Sequence, residues 1–194
     1  PAASVLLVTL ILLGLARWLA VDDDARRTQL RLQYRATVLA NAIDDHLRGS
    51  VRDIRMLARS PLMTGTVSPQ KVRAELERLQ SQSSQYVWIG LIGLDGNVLA
   101  GTRGWLEGRS LAARPVFLQS RSATWLGDVH PAVSLAQLMQ TSGREMEELI
   151  DIGEPVRDSD GKVVAVLAAH LGVGWIDQLR ARSAGEPTGR SAPS

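Results

Sequence analysis

The sequence contains no cysteine. That excludes a disulfide framework, thiol nucleophiles and cysteine-ligated zinc. It leaves the compartment open, because exported and cytoplasmic domains alike can dispense with cysteine. Aromatic residues are scarce at 4%, and with five Trp, two Tyr and one Phe the large rings are concentrated in one type. An excess of one charge is missing too: 22 Lys and Arg against 20 Asp and Glu leave a net charge of +2. The cations are mostly arginines scattered among acids, with no basic stripe and no aromatic-interleaved platform, so nucleic acid is not an expected partner. Histidine is limited to His46, His130 and His170. They lie far apart and in no ligand spacing such as H-E-x-x-H, so no metal, cofactor or catalytic constellation is expected. "GLDGNVLAG" and "GTRGWLEG" are glycine-rich but match no dinucleotide or phosphate-loop fingerprint, and read as hairpin and loop glycines. There is no internal repeat.

What is present begins with an apolar run, "AASVLLVTLILLGLARWLAV", whose first charge is Arg17. Its uncharged part is shorter than the ~20 residues of a spanning helix, but Arg17 and Trp18 suit a membrane boundary. Residues 1–21 are therefore expected to be a transmembrane anchor, with a cleaved signal peptide as the rival reading. From Asp22 to Ser60 the only glycine is Gly49, and no proline occurs before Pro61. Leu32, Leu39, Ile43, Leu47, Val51, Ile54 and Leu57 recur at spacings of three, four and seven, the period of an amphipathic helix. Residues 22–60 thus form a stalk helix, roughly 55–60 Å long at 1.5 Å per residue. A second copy of the chain can dimerise along it.

After Pro61 the period changes. "PQKVRAELERLQSQSSQ" is a short helix. "YVWIGLIGLDGNVLAG" reads as a hairpin turning at Asp95-Gly96-Asn97. "SLAARPVFLQSR" gives a helix from about Leu111 to Arg121, "ATWLGDV" a strand, and "HPAVSLAQLMQTSGREMEEL" a loop with a helical turn. A second hairpin turns around Asp158 to Gly161, "GWIDQLRARS" closes as a helix, and residues 184–194 form a linker-like tail. The expected class is α+β, a long N-terminal helix packed on an antiparallel sheet of about five strands, with loop and helix covering the other face.

"LIGLDGNVLAGT", "SLAARPVFLQSR", "WLGDVHPAVSLAQL" and "IDIGEPVRDSDGKVVAVLAAHLGVGWIDQL", in this order and spacing, resemble the Cache (extracytoplasmic PAS-like) sensor domains of bacterial receptors. More narrowly, they are similar to the first unit of double-Cache domains on membrane diguanylate cyclases and histidine kinases. The resemblance covers roughly residues 20 to 182 and implies a PAS-like sensor unit at 61–183. It implies a periplasmic domain on an inner-membrane anchor, which binds a small molecule between sheet and covering loops without catalysing anything. A second unit, a second membrane span and the effector would lie outside this chain. The alternative is a ligand-free structural or dimerisation module of such a receptor.

The candidate ligand contacts centre on Arg114. A guanidinium offers five donors in a fork suited to carboxylate or phosphate, and at a helix start it adds to the positive end of the helix dipole. The competing readings are a solvated first-turn residue or a pair with Asp128, Asp151 or Glu107. Trp105 is either an apolar wall of the pocket or the anchor of its loop. Phe117 belongs to the helix that covers the pocket. Asp128 and His130 end the next strand, where they face the same cavity or simply turn the chain, and Asp151 is the leading counter-charge. His46 is expected on the surface and His170 as a packing residue. The amino-acid-binding members of the family follow their arginine with Trp-Tyr. Here Pro115, Val116 and Phe117 follow, which argues against a free amino acid; if Arg114 faces the cavity, a small anionic ligand is expected.

Overall fold

The computed structural model describes residues 2–64, 67–132, 135, 138 and 148–184, without the side chains of 2–6, 16, 19–25 and 182–184. The 185–194 part of the expected tail, and all but three residues of the segment 133–148, lie outside them. Helix α1 runs Ala2–Ala58, so the expected anchor and stalk are one helix. Its residues up to Asp44 belong, with Arg180 onward, to one compact unit, and Asp45–Leu179 form the other. Among the described residues no helix is long and apolar enough to cross a membrane. The apolar run lies partly outside the side chains described there.

In the second unit, α1 ends where Pro61 forces Ser60 out of the helical region (φ −65°, ψ 135°). Ser60 then caps a single turn at Pro61–Met63 by accepting from the Leu62 amide. Helix α2 (Pro69–Gln82) opens on a proline, which needs no amide hydrogen at that position. It stops three residues short of the apparent sequence limit because Ser83 is already extended (φ −150°). The remaining elements are β1 (Tyr86–Gly93), β2 (Val98–Gly101), α3 (Pro115–Ser120), β3 (Trp125–Pro131), β4 (Glu148–Arg157), β5 (Val163–Gly172) and α4 (Gly174–Ala184). At the first hairpin Gly96 takes φ +84°, a conformation that favours glycine, and Asp95 Oδ1 accepts from the Asn97 amide at 3.0 Å.

The five strands form one antiparallel sheet in the order β2-β1-β5-β4-β3. Side-chain alternation divides its two faces between two cores. On β5, Ala165, Leu167, Ala169 and Leu171 join α1 (Ile54, Leu57, Ala58) and α2 (Val72, Leu76). Each such large apolar side chain, removed from water, is worth about 1.5–3 kcal/mol. Val166 and Ala168 face the other way, with Trp88, Ile92, Val116 and Phe117. On β4 the parity is the same: Ile150 and Ile152 belong to the helix side, Leu149 to the opposite side. Asp151 and His170 therefore point to the face away from the long helix, and the register pairs them directly across the two strands.

Candidate functional site

Helix α3 is shorter than its sequence pattern. Arg114 precedes a proline and is held extended at φ −86°, ψ 140°, so it occupies the N-cap and the helix starts at Pro115. Leu111 to Arg114 form a turn instead, closed by the Arg114 amide on the Leu111 carbonyl at 2.9 Å. The helix sits hard on β4. A Cβ at Gly153 would lie 1.9 Å from Ser120 Oγ and 3.0 Å from the Val116 carbonyl, so a glycine at this point is what lets α3 approach. The placement of Arg114 follows from that seat.

Below Arg114 lies a cavity of about 500 Å³, within the range of small-molecule sites. Its walls are apolar at Leu111, Val116, Trp125, Leu135 and Leu149, and its charged or titratable side chains are Arg114, Asp128, His130, Asp151 and His170. The register of β3 on β4 shifts between Leu126 and Val129. Such irregularities re-aim side chains, and Asp128 and His130 on either side of Val129 both reach the cavity.

Asp151 is the hub. Its Oδ1 accepts a hydrogen bond from His170 Nδ1, and both side chains are only 8% exposed. His130 Nε2 lies 3.0 Å from the same oxygen, at an angle that makes it an ion-pair contact rather than a hydrogen bond. The other ring nitrogen, His130 Nδ1, is 3.0 Å from the Pro131 carbonyl. A carbonyl only accepts, so Nδ1 carries a hydrogen. Burial opposes the charged form of His130, but the Pro131 carbonyl and Asp151 together outweigh it and raise the imidazole pKa, with Arg114 pulling the other way. For Asp151 burial again opposes charge, and the hydrogen bond and charge of His170, then the close contact with His130, prevail and hold the carboxyl below its usual range.

Four of the sequence-derived contacts, Arg114, Asp128, His130 and Asp151, thus line one cavity. The pairings foreseen for Arg114 do not form. Glu107 is taken by a two-pronged pair with Arg73, Asp151 by the histidines, and no salt bridge or hydrogen bond of the guanidinium is found among the described residues. Trp105 and Phe117 stand outside the cavity. The Trp105 carbonyl accepts from Trp88 Nε1 at 3.1 Å and its ring packs on the inner core beneath Arg103, which makes it a loop anchor. Phe117, one residue further round α3 than Val116, is buried against the sheet at 3% exposure. Trp125 and His170 line the cavity and were missed. Their signal was strand parity: His170 alternates with Ala169 and Leu171, but only the cross-strand register puts it opposite Asp151. His46 is also not a plain surface residue, since its ring stacks on Trp175 at 4.0 Å. No group of three or more His, Asp or Glu among the described residues could hold a metal ion.

One polar connection leads from the edge of this site to α1. Arg55 Nη2 donates to Thr124 Oγ1 at 2.8 Å, and Arg55 Nε lies 3.4 Å from Glu154 Oε1. Thr124, which immediately precedes β3, donates in turn to Glu154. Arg157 donates to the neighbouring Ser122 carbonyl at 3.1 Å. The α3–β3 connection is thereby tied to both the sheet and the long helix.

No family model matches the chain, and no curated protein matches it. Solved structures do. The sensor domain of the histidine kinase DctB from V. cholerae aligns with 76% of this chain at a TM-score of 0.58 and 18% identity. The ligand-binding domain of the amino-acid chemoreceptor PctC from Pseudomonas aeruginosa, in complex with GABA, aligns with 74% at 0.58 and 15%. The E. coli DcuS sensor domain aligns with 70% at 0.51 and 16%. The alignment takes in 57% of the DctB domain, 60% of the PctC domain and 96% of the DcuS domain, so the chain spans little more than half of the first two. With the five-stranded order, the long helix on one face and the cavity on the other, the chain has the Cache-type, PAS-like sensor-domain fold.

Proposed function

We propose that this chain is the extracytoplasmic sensory domain of a bacterial membrane receptor, which binds a small anionic molecule in the cavity beside Arg114 and passes its occupancy to α1. The observation that carries the reading is an arginine whose guanidinium has no salt bridge or hydrogen bond among the described residues, on the wall of a cavity of about 500 Å³ whose carboxylate Asp151 is already engaged. A site of that size with few convergent charges favours one ligand orientation. The domain performs no chemistry. Its output is the difference in affinity between two arrangements of the cavity walls, and the Arg55, Thr124 and Glu154 link is a route from those walls to the helix. That the similar DctB domain belongs to a histidine kinase, and that the similar PctC domain holds GABA, supports a receptor role. The effector, a diguanylate cyclase or histidine kinase, lies outside this chain.

The membrane part of the proposal rests on residues 1–21. Leu7, Val8, Leu10, Ile11, Leu12, Leu13 and Leu15 are all at least half exposed. A helix apolar on every side suits lipid better than water. Residues 22–60 then rise from the inner membrane as the stalk, and the sensor unit 61–183 lies in the periplasm. A metabolite screen by thermal shift and tryptophan fluorescence, with Trp125 as the reporter in the cavity wall, tests the sensing role. A true ligand at a hundredfold excess over its dissociation constant adds ~2.7 kcal/mol, and Arg114→Ala should abolish the response. A screen in which nothing shifts the wild type would sink it. One observation favours the ligand-free dimerisation module: Leu30, Tyr34 and Val38, four residues apart on α1, are exposed. On that reading the chain self-associates through α1 and Arg114→Ala alters no response.

A further inference from the structure

We infer that ligand affinity at this cavity is proton-linked through Nε2 of His130, so that the domain reads pH together with its anion. The inference rests on the sensing role proposed above and assigns its regulation. The groups facing His130 come from four elements: Arg114 at the start of α3, Asp128 on its own strand, Asp151 on β4 and His170 on β5, all on the cavity wall. The Pro131 carbonyl, 3.0 Å from Nδ1, fixes a hydrogen on that nitrogen. Only Nε2 is left to gain or lose a proton, and it is this atom that lies 3.0 Å from Asp151 Oδ1 on a side chain still 41% exposed.

The two states of Nε2 meet an anion differently. Deprotonated, the ring is neutral, and two carboxylates, Asp128 and Asp151, face the single guanidinium of Arg114. Protonated, it adds a positive charge to the cavity wall, and the count of opposing charges becomes even. Asp151 cannot release His170, whose hydrogen bond is buried with it, so the adaptable partner in the cluster is His130. Its Nε2 is itself buried against Asp151, so the proton acts on an anion in the cavity through its charge. By linkage, an anion that binds the protonated form must raise the titration midpoint of His130, and its affinity falls about tenfold per pH unit above that midpoint.

The test uses butyrate as probe and its neutral isostere butyramide as control, followed by calorimetry at about pH 6 and about pH 8.5, either side of the ordinary imidazole range. Butyrate should bind at the lower pH and weaken by about tenfold or more at the higher, and butyramide should not bind. His130→Gln retains an N–H donor but cannot titrate, so its butyrate affinity should be the same at both pH values. Should that variant fail to fold, imidazole NMR of the wild type gives the same answer: butyrate must move the His130 midpoint upward. Butyrate binding of equal strength at both pH values, an unmoved His130 midpoint, or no butyrate binding at the lower pH would each overturn the inference. The metabolite screen decides the sensing role separately, since a ligand found there that binds without pH dependence leaves that role standing and removes only this one.

Discussion

Replacing Asp151 with alanine takes away the one carboxylate that holds two imidazoles on the inner face of the sheet. His170 Nδ1 is then left on a side chain 8% exposed, with the ring of Trp88 stacked 5.0 Å away and no other acceptor for that nitrogen among the described residues. Removing one partner of a buried ionic contact costs about 3–5 kcal/mol, because the group left behind loses both water and its partner. At 2–4 °C per kcal/mol for a chain of this length, the melting temperature should fall by roughly 6–20 °C. Asp151→Asn, which keeps an acceptor, should lose less. The pH dependence supplies a second check. The Asp151 pKa is depressed on folding, so its contribution is present above the unfolded value near pH 4 and is lost as pH falls through the lower folded value. The His130 pKa is raised, so its share is complete below about pH 6.5 and is lost as pH rises through the folded value. The gap between wild type and Asp151→Asn in urea unfolding should therefore be widest between those limits. It should close on the acid side and narrow only in part on the alkaline side, where the His170 hydrogen bond persists. An alanine variant within about 0.5 kcal/mol of wild type across this range would refute the account of Asp151 as the hub.

Other perturbations probe separate parts of the site. Arg114→Ala should change unfolding free energy by no more than about 0.5 kcal/mol while removing the ligand response, because its guanidinium makes no salt bridge or hydrogen bond among the described residues. Gly153→Ala should cost about 1–3 kcal/mol, since its methyl collides with Ser120 and the Val116 carbonyl and α3 must lift. It should weaken ligand binding as well, which calorimetry and denaturant titration would read side by side. Thr124→Val removes the hydroxyl between Arg55 and Glu154 and should cost about 1 kcal/mol in unfolding experiments. Tyr86, whose phenol is pushed up chiefly by burial and next by the Asp53 charge, should stay un-ionised in alkaline absorbance titration until the domain unfolds.

The elements of this protein were legible in its sequence because their signals are local. A proline-free stretch with apolar residues every three or four positions makes α1, and Pro61 stops it. Asp95-Gly96-Asn97 and Asp158 to Gly161 mark turns through the chemistry of their own residues. Alternation in β4 and β5 assigns one face to aliphatic side chains. Arg114 could be singled out for the same reason, as a guanidinium beside a proline at a helix start.

Partnership was not legible, because it depends on register and on what lies close across the sheet. His170 looked like a packing residue until the pairing of β4 with β5 set it opposite Asp151. Whether the Arg114 guanidinium was paired turned on where Glu107 and Asp151 spend their oxygens, and those choices are made by Arg73, His130 and His170, 19 to 34 residues removed along the chain from the groups they hold. Trp105 and Phe117, reasonable pocket walls by composition, were taken by the core instead, while Trp125 took a place on the cavity. Sequence alone determined that this chain would be a long helix against an antiparallel sheet, since helical and strand periods are written residue by residue. Tertiary structure alone decided which charges are neutralised inside the protein and which find no partner among the described residues, since that follows from distances of 3 Å between strands that no local pattern encodes.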